Sequence, residues 1–443
     1  METYIDIAVI GAGISGISAA SHLKKKCPNK SFKIFEKRSA IGGTWDLFKY
    51  PGIRSDSDMF TLGFSFKPWK ERKAIADGPS IMNYLKETVS EHELEENINY
   101  NQSLIKAEWS TEKAIWKITL FNSITNKEEI ISCKFLFMCS GYYSYDKGYT
   151  PEFKGIENFN GSIVHPQKWS EEVDYDNKKV VIIGSGATAV TLVPEIAKKA
   201  SKVTMLQRSP TYIVAYPDED MFSNILKAIL PSKLSYALTR FRNVLVQQWI
   251  YTQCRKFPKY MKKFLLNRIR EYLSDDEIKK NFTPSYNPWE QRMCLVPNGD
   301  FFLSIKENKA SVVTDEISNF TSNSIKLKSG KELDADLIVT ATGLNLKLLG
   351  GVDLIVDGKT VEISSTMTYK SMMFSDVPNF ISTFGYLNAS WTLKADLTSQ
   401  YACRLINLMD KKSYKYCSPK IPSNVEEDKD WLAADFFWLH TTS

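Results

Sequence analysis

Two short apolar runs that end in closely spaced glycines and lead into a helical pattern restrict what this chain can fold into more than any other feature. Ile7 to Ile10 runs into Gly11-Ala12-Gly13-Ile14-Ser15-Gly16, and Val180 to Ile183 runs into Gly184-Ser185-Gly186-Ala187-Thr188-Ala189. Each reads as strand, tight turn and helix, the opening of a βαβ unit. The first small residue permits the turn, the second lets backbone approach a pyrophosphate, and the third lets helix pack on strand, so Ala189 can stand where the first unit has Gly16. The helix N-terminus then faces phosphate charge with its free N–H groups. Two such units predict an α/β fold with two Rossmann-like dinucleotide-binding domains.

The residues after each helix distinguish the two nucleotides. Phe32 to Phe35 reads as the next strand of the first unit and ends in Glu36, 20 residues beyond Gly16. A carboxylate there accepts hydrogen bonds from ribose hydroxyls and repels a 2′-phosphate. In the second unit, Val203 to Leu206 ends in Gln207-Arg208-Ser209 instead. A guanidinium beside a hydroxyl holds a 2′-phosphate through charge-assisted hydrogen bonds, so this site is expected to take NADPH in preference to NADH. Ile183 and the turn from Gly184 to Ala189 are assigned to the same nucleotide.

Composition limits the remaining classes. At 443 residues, 43% apolar and 24% charged, the chain has room for two or three domains with cores of their own. No apolar run approaches the ~20 residues of a spanning helix, and Met1 to Ile10 lacks the pattern of a signal peptide, so the expected location is the cytoplasm. Seven scattered cysteines without a C-x-x-C pair suit reduced thiols, and only four histidines argue against a metal site.

Between Met221 and Arg270 eleven Lys and Arg residues occur without one acid, among apolar residues such as Ile225, Ile229, Leu234, Leu238, Val244 and Ile250. This stretch reads as a helical insertion spanning about 215–290. Its charge leaves two readings open, a solvated basic face or peripheral contact with anionic lipid on the inner face of the cell membrane. Nothing here has the form of a nucleic-acid recognition module.

Between the two glycine turns stand Phe159, Gly161, His165 and Trp169, spaced F-x-G-x-x-x-H-x-x-x-W. Gly42-Gly43-Thr44-Trp45-Asp46-Leu47, Tyr50 to Asp58, Asn287-Pro288-Trp289-Glu290-Gln291-Arg292 and Leu295 to Asp300 add further motifs. Together these resemble the type I Baeyer–Villiger monooxygenases of the flavin-containing monooxygenase superfamily, from about residue 4 to about residue 410. Ser170 departs from the pattern, because the family usually has Pro or Asp after the tryptophan.

The resemblance implies that the first site holds FAD, through Gly11, Gly13, Ser15, Gly16, Glu36, Thr44, Trp45, Asp46, Leu47, Arg54, Ser55, Asp56 and Leu104. It implies that Ser390, Trp391, Thr392 and Leu393 line the pocket of the flavin ring. The implied reaction consumes NADPH and O2: reduced flavin forms a C4a peroxide, which transfers one oxygen to a ketone, giving an ester, or to an organosulfur compound. Arg292 matches the family's catalytic arginine and Asp56 the carboxylate that pairs with it. An arginine stays cationic at any working pH, which suits a negatively charged intermediate. His165 and Trp169 lie in the link between domains, which suits a conformational role better than proton transfer. Two rivals remain, an N- or S-hydroxylating flavin monooxygenase that makes no esters and a truncated, inactive FAD-binding protein.

The expected domains are residues 1–145 and 335–443 for FAD, with 146–334 inserted for NADP. Asp336 to Gly343, which contains an A-T-G motif, is expected to carry the return. The C-terminus is expected to be altered. One choice of codons for Phe436 to Ser443, read one base later, spells S-S-G-Y-I-Q-R-A, a segment the family usually carries, and a frameshift would account for that.

Overall fold

The computed structural model describes residues 3–386 and 388–421, and the expected frameshifted end, Phe436 to Ser443, lies outside them. The first unit opens with β1 (Thr3–Ile10), α1 (Ile14–Lys26) and β2 (Phe32–Phe35). Lys24, Lys25 and Lys26 close α1, where cations complement the helix dipole. α2 (Thr44–Leu47), α3 (Met59–Leu62), α4 (Gly78–Glu91) and β3 (Ile98–Asn99) follow. The chain then folds an antiparallel meander of β4 (Gln102–Ser110), β5 (Ile115–Asn122) and β6 (Lys127–Met138). In β5, Trp116, Ile118 and Leu120 are buried at every second position, so one face of the meander packs on the core. β1 runs parallel to β2 on one side and to β6 on the other.

β7 (Tyr143–Gly148) leads out of this sheet, and β8 (Ser162–Val164), β9 (Lys179–Ile183), α5 (Ala187–Ile196) and β10 (Lys202–Gln207) begin a second one. β11 (Ile213–Tyr216) precedes a helical segment made of α6 (Met221–Ile229), α7 (Ser232–Lys256), α8 (Pro258–Arg268) and α9 (Asp275–Asn281). β12 (Cys294–Pro297), α10 (Asp300–Lys306) and β13 (Ala310–Thr314) complete the return. A three-stranded antiparallel layer, β14 (Ile317–Phe320), β15 (Ser324–Leu327) and β16 (Glu332–Asp334), leads to β17 (Leu337–Thr340). The second sheet has the order β13-β10-β9-β17-β8, all parallel. All four residues of β17 are buried, as expected of a strand covered on both faces.

β17 corrects the expected boundary. Leu337–Thr340 pairs with β9 and β8 inside the second sheet, so the chain crosses back only after Thr340, not at 335. β18 (Leu344–Leu346) makes that crossing and pairs antiparallel with β7, the outgoing crossing. β19 (Asp353–Val356) and β20 (Lys359–Thr360) then extend the first sheet beside β4. A short hairpin, β21 (Thr368–Tyr369) and β22 (Met373–Phe374), precedes β23 (Phe380–Ser382), which adds to β6. α11 (Trp391–Lys411) packs along α1. The first sheet therefore combines strands from residues 3–138 with strands from residues 353–382.

Trp116 joins these two contributions, since its fully buried ring lies in the core and its Nε1 donates to Pro378 O at 3.0 Å. Replacing it by Ala is expected to cost about 3–5 kcal/mol and to lower the urea midpoint of unfolding, because both the ring volume and the bond to the returning segment are lost.

Candidate active site

Both glycine turns bring backbone against backbone. At Gly11 (φ +104°) an added Cβ would lie 2.6 Å from Cys139 O, and at Gly184 (φ +129°) it would lie 2.3 Å from Ala341 O. Each turn therefore sits on the end of the neighbouring parallel strand, and the following helix starts at a set height above the sheet. α1 and α5 begin at Gly13 and Gly186 without a side-chain cap. By contrast Asp58, Asp77, Asp220 and Ser274 cap α3, α4, α6 and α9. α2, α7, α8, α10 and α11 also lack a side-chain cap, but only α1 and α5 start at a turn of two glycines directly after a parallel strand, where free N–H groups can face an anion.

The first turn faces a second one. Gly42 N donates to Ala12 O at 3.0 Å, and a Cβ on Gly13 would lie 3.6 Å from Gly43 Cα, so a side chain there would fill the gap between the turns. Glu36 is 5% exposed, and its carboxylate accepts from Ala12 N at 2.7 Å and from Arg38 N at 2.9 Å. Burial raises its pKa while these bonds pull it down. Arg38 closes the same edge on Asp46 of α2 at 2.6 Å. Tyr145 lies within electrostatic reach of Thr44, and Trp45 packs against the core of the first domain. From the far end of the chain, Trp391 Nε1 donates to Ser15 Oγ at 2.6 Å. A pyrophosphate fits this cradle of uncapped N–H groups and small residues.

The second turn is more open. Gly186 and Ala187 are exposed, and nothing lies within 4 Å of a Cβ added at Gly186. Ala189 and Ile183 are buried beneath it, while Arg208 and Ser209 are exposed just past β10. This arrangement leaves room for a phosphate beside a cation. Tyr50 packs into the core of the second domain with its phenol within electrostatic reach of Thr188 in this turn, and burial pushes that phenol up to about 12.

Arg292 and Asp56 meet from opposite domains. Arg292 Nη2 lies 2.7 Å from Asp56 Oδ2, and the carboxylate raises the pKa of an already cationic group. Tyr142 and Tyr143 lie close enough for their fields to act on Arg292, and their hydroxyls are 2.6 Å apart. Tyr142 also stacks on Trp391, with ring centroids 5.2 Å apart. Neither tyrosine belongs to the motifs read from the sequence; their place directly after Gly141 was the available signal. Asp300, at the start of α10, was likewise unassigned and receives Arg54 through two bonds of 2.5 and 3.3 Å.

Several side chains expected along the nucleotides are engaged within the protein. Gln207 donates to Asn281 O and Thr314 Oγ1, at 2.7 and 2.8 Å, and so ties β10 to its neighbours. Ser55 Oγ accepts from Ala76 N at 3.1 Å. Ser390 and Thr392 bond α3, the former to Thr61 Oγ1 at 2.7 Å and the latter to Leu62 O at 2.6 Å. Leu393 donates its N–H to Ser390 O, and Leu47 closes the α2 turn on Gly43 O. Leu104 is buried in the meander's core with Ile10 and Phe35.

The linking motif sits at the paired crossings. His165 Nδ1 accepts from Gln167 N at 3.1 Å while Nε2 donates to Gly343 O at 3.0 Å, which defines the neutral Nε2–H tautomer. The ring covers Gly148, where an added Cβ would fall 2.0 Å from His165 Cε1. One imidazole thus holds the outgoing crossing and the return together. Phe159 is buried under the second sheet, Gly161 passes close to Asp336 O, and Trp169 packs edge-on to Tyr175.

Two strand–glycine turn–helix units, each with an uncapped helix start, and an arginine–aspartate pair joining residues before α3 and after α9 are the geometry that comparison with known proteins has to match. Residues 5–374 match the profile of the flavin-binding monooxygenase-like family, and the chain belongs to that family. It is 52% identical over 434 residues to the FAD-containing monooxygenase EthA of Mycobacterium tuberculosis, covering 98% of this chain and 88% of that protein. It is 50% identical over 421 residues to the probable FAD-binding monooxygenase AlmA of Acinetobacter baylyi, covering 95% and 84%. A steroid monooxygenase solved in oxidised form with NADP superposes with a TM-score of 0.79 at 23% identity, covering 97% of this chain and 89% of that one. An open structure of cyclohexanone monooxygenase gives 0.80 at 18% identity, covering 99% and 92%. The last two likenesses concern the fold.

Burial lowers the pKa of His165, so the unfolded imidazole takes a proton that the folded pocket refuses. Its contribution is complete above the unfolded value of about 6.5 and is lost as pH falls below it. Thermal unfolding between pH 5 and 8 is expected to show this acid loss in the parent, and His165→Gln to flatten that limb of the curve.

Proposed function

We propose that this protein is a FAD- and NADPH-dependent monooxygenase of Baeyer–Villiger type, which places one oxygen atom from O2 next to the carbonyl of a ketone and also oxygenates organosulfur compounds. The observation that carries the reading is the Arg292–Asp56 pair, held between the two cradles from opposite domains. The names of the 50–52% identical relatives support FAD. When bound, FAD supplies O2 activation after accepting a hydride from NADPH.

The chain's residues divide the remaining work. The start of α1 and Glu36 hold the pyrophosphate and ribose of FAD, and the start of α5 holds that of NADPH. Arg208 and Ser209 take the 2′-phosphate, where a carboxylate would repel it. Arg292 faces the oxygen on which negative charge develops when a ketone carbonyl is attacked, and it needs no proton transfer to do so. Asp56 positions the guanidinium. Tyr142 and Trp391 form a stacked wall beside it. The first domain, built from both chain ends, is the FAD domain, and the segment between the crossings is the NADP domain.

Arg292→Ala is expected to retain FAD and its reduction by NADPH within about twofold, while ester formation from a simple ketone falls at least about a hundredfold and hydrogen peroxide replaces it. Gas chromatography of the products alongside NADPH consumption checks this. Ester yield at the parental rate would remove Arg292 from the chemistry, and sulfoxide without any ester from the parent would favour a hydroxylating enzyme instead.

Arg208→Ala is expected to raise KM for NADPH by about ten- to a hundredfold and to leave that for NADH nearly unchanged, since only the 2′-phosphate loses its charge-assisted partner. Steady-state kinetics with both nucleotides decides it.

A further inference from the structure

α7 is amphipathic with its faces reversed. Its inner face is polar: Tyr236 donates to Phe64 O at 2.9 Å, Arg240 to Phe60 O and Gly63 O at 2.7 Å each, and Asn243 and Gln247 to the Asp58 carboxylate at 2.9 and 2.8 Å. These side chains clamp α7 onto α3. The opposite face carries Leu234, Leu238, Phe241, Leu245 and Trp249, exposed by 47, 41, 65, 52 and 62%. At about 100° per residue this stripe lies roughly 180° round the helix from the clamp. On α6, which packs on α7, Met221, Ile225 and Ile229 are exposed by 78, 60 and 69% in the same i, i+4, i+8 rhythm. α8, on the other flank, exposes Tyr260 and Phe264.

Surface apolar groups this numerous on adjoining helices require a cover. The charge around them identifies its chemistry. Salt bridges in this segment involve Arg240, Arg242 and Arg270, and leave Lys233, Arg255, Lys256, Lys259, Lys263 and Arg268 exposed. No acid occurs between Met221 and Arg270. A second copy of the chain would bring the same cations into opposition. A bilayer rich in anionic phospholipid accepts both the apolar stripes and the cations. Among the described residues no helix is long and apolar enough to cross a membrane.

We infer that α6, α7 and α8 form an interfacial docking surface that seats the protein on anionic lipid with these helices lying in the membrane plane. The surface communicates with the site, because Tyr251 near the end of α7 meets Trp289, three residues before Arg292, with centroids 5.9 Å apart. An apolar substrate dissolved in the bilayer would thus arrive beside the loop that carries the arginine. The binding itself is independent of any turnover.

Co-sedimentation of the full chain with vesicles tests this. Phosphatidylcholine vesicles containing about 30% phosphatidylglycerol are expected to bind it at low salt at least about tenfold more tightly than phosphatidylcholine alone, with the difference shrinking as salt rises. Phe241→Ser with Trp249→Ser is expected to lose about tenfold or more in vesicle binding, with unchanged thermal unfolding and unchanged NADPH oxidation in solution. Lys259→Gln with Lys263→Gln is expected to lose most of the preference for anionic vesicles. The inference is overturned if the parent binds neither vesicle, if both double variants bind as the parent does, or if sedimentation velocity shows the Phe241/Trp249 face holding two copies together while vesicle binding is unaffected.

Discussion

Backbone packed against backbone at the first glycine of each turn is the contact on which the rest depends. Gly11 lies on the carbonyl of Cys139 and Gly184 on that of Ala341, with no room for a Cβ at either place. Because each turn is pressed onto the neighbouring strand end, α1 and α5 start directly above the sheets, with their N–H groups uncapped. In the reading proposed above, those two helix ends receive the phosphates. The Asp56–Arg292 pair, the Tyr142–Trp391 stack and the buried Tyr50 lie beside them.

The second organising element is the pair of crossings. β7 leaves the first domain, β18 returns to it, and the two pair antiparallel, so any rotation of one domain on the other bends a two-strand ribbon. His165 sits on that ribbon, over Gly148 and bonded to Gly343. A residue with one acceptor and one donor nitrogen is suited to this, and a protonated ring would lose the bond from Gln167. The position accounts for a histidine in the link without giving it a role in proton transfer.

The helical segment inserted after β11 answers to a different logic from the two sheets. Its longest helix, α7, is held chiefly by hydrogen bonds from a polar face to the backbone and to one buried carboxylate, Asp58, whereas α9 and the end of α8 are seated on the apolar core of the second domain. That mode of attachment frees the apolar side of α7 for the outside. Its basic residues were visible in the chain, but the reversal of faces was not, since periodicity alone assigns the apolar stripe of a helix to the core.

How much was legible before folding divides along the range of the interactions. Local signals carried the two strand–turn–helix units, the acid at Glu36 and the cation at Arg208, because turn geometry, helix starts and ion type depend on neighbouring residues; Arg292 was singled out only through the family resemblance of its motif. The commitments of Gln207 to Asn281 and Thr314, of Ser390 and Thr392 to α3, and of Arg54 to Asp300 were not legible, because each needs a partner tens to hundreds of residues away. The boundary at 335 was misplaced for the same reason: Leu337–Thr340 reads as an ordinary buried strand, and only pairing decides which sheet it joins. The sequence by itself determined two strand–glycine turn–helix units, and the carboxylate that follows the first and the guanidinium that follows the second. Tertiary structure alone decided which side chains face a ligand and which hold the fold, because that choice rests on contacts that exist only once both sheets have closed.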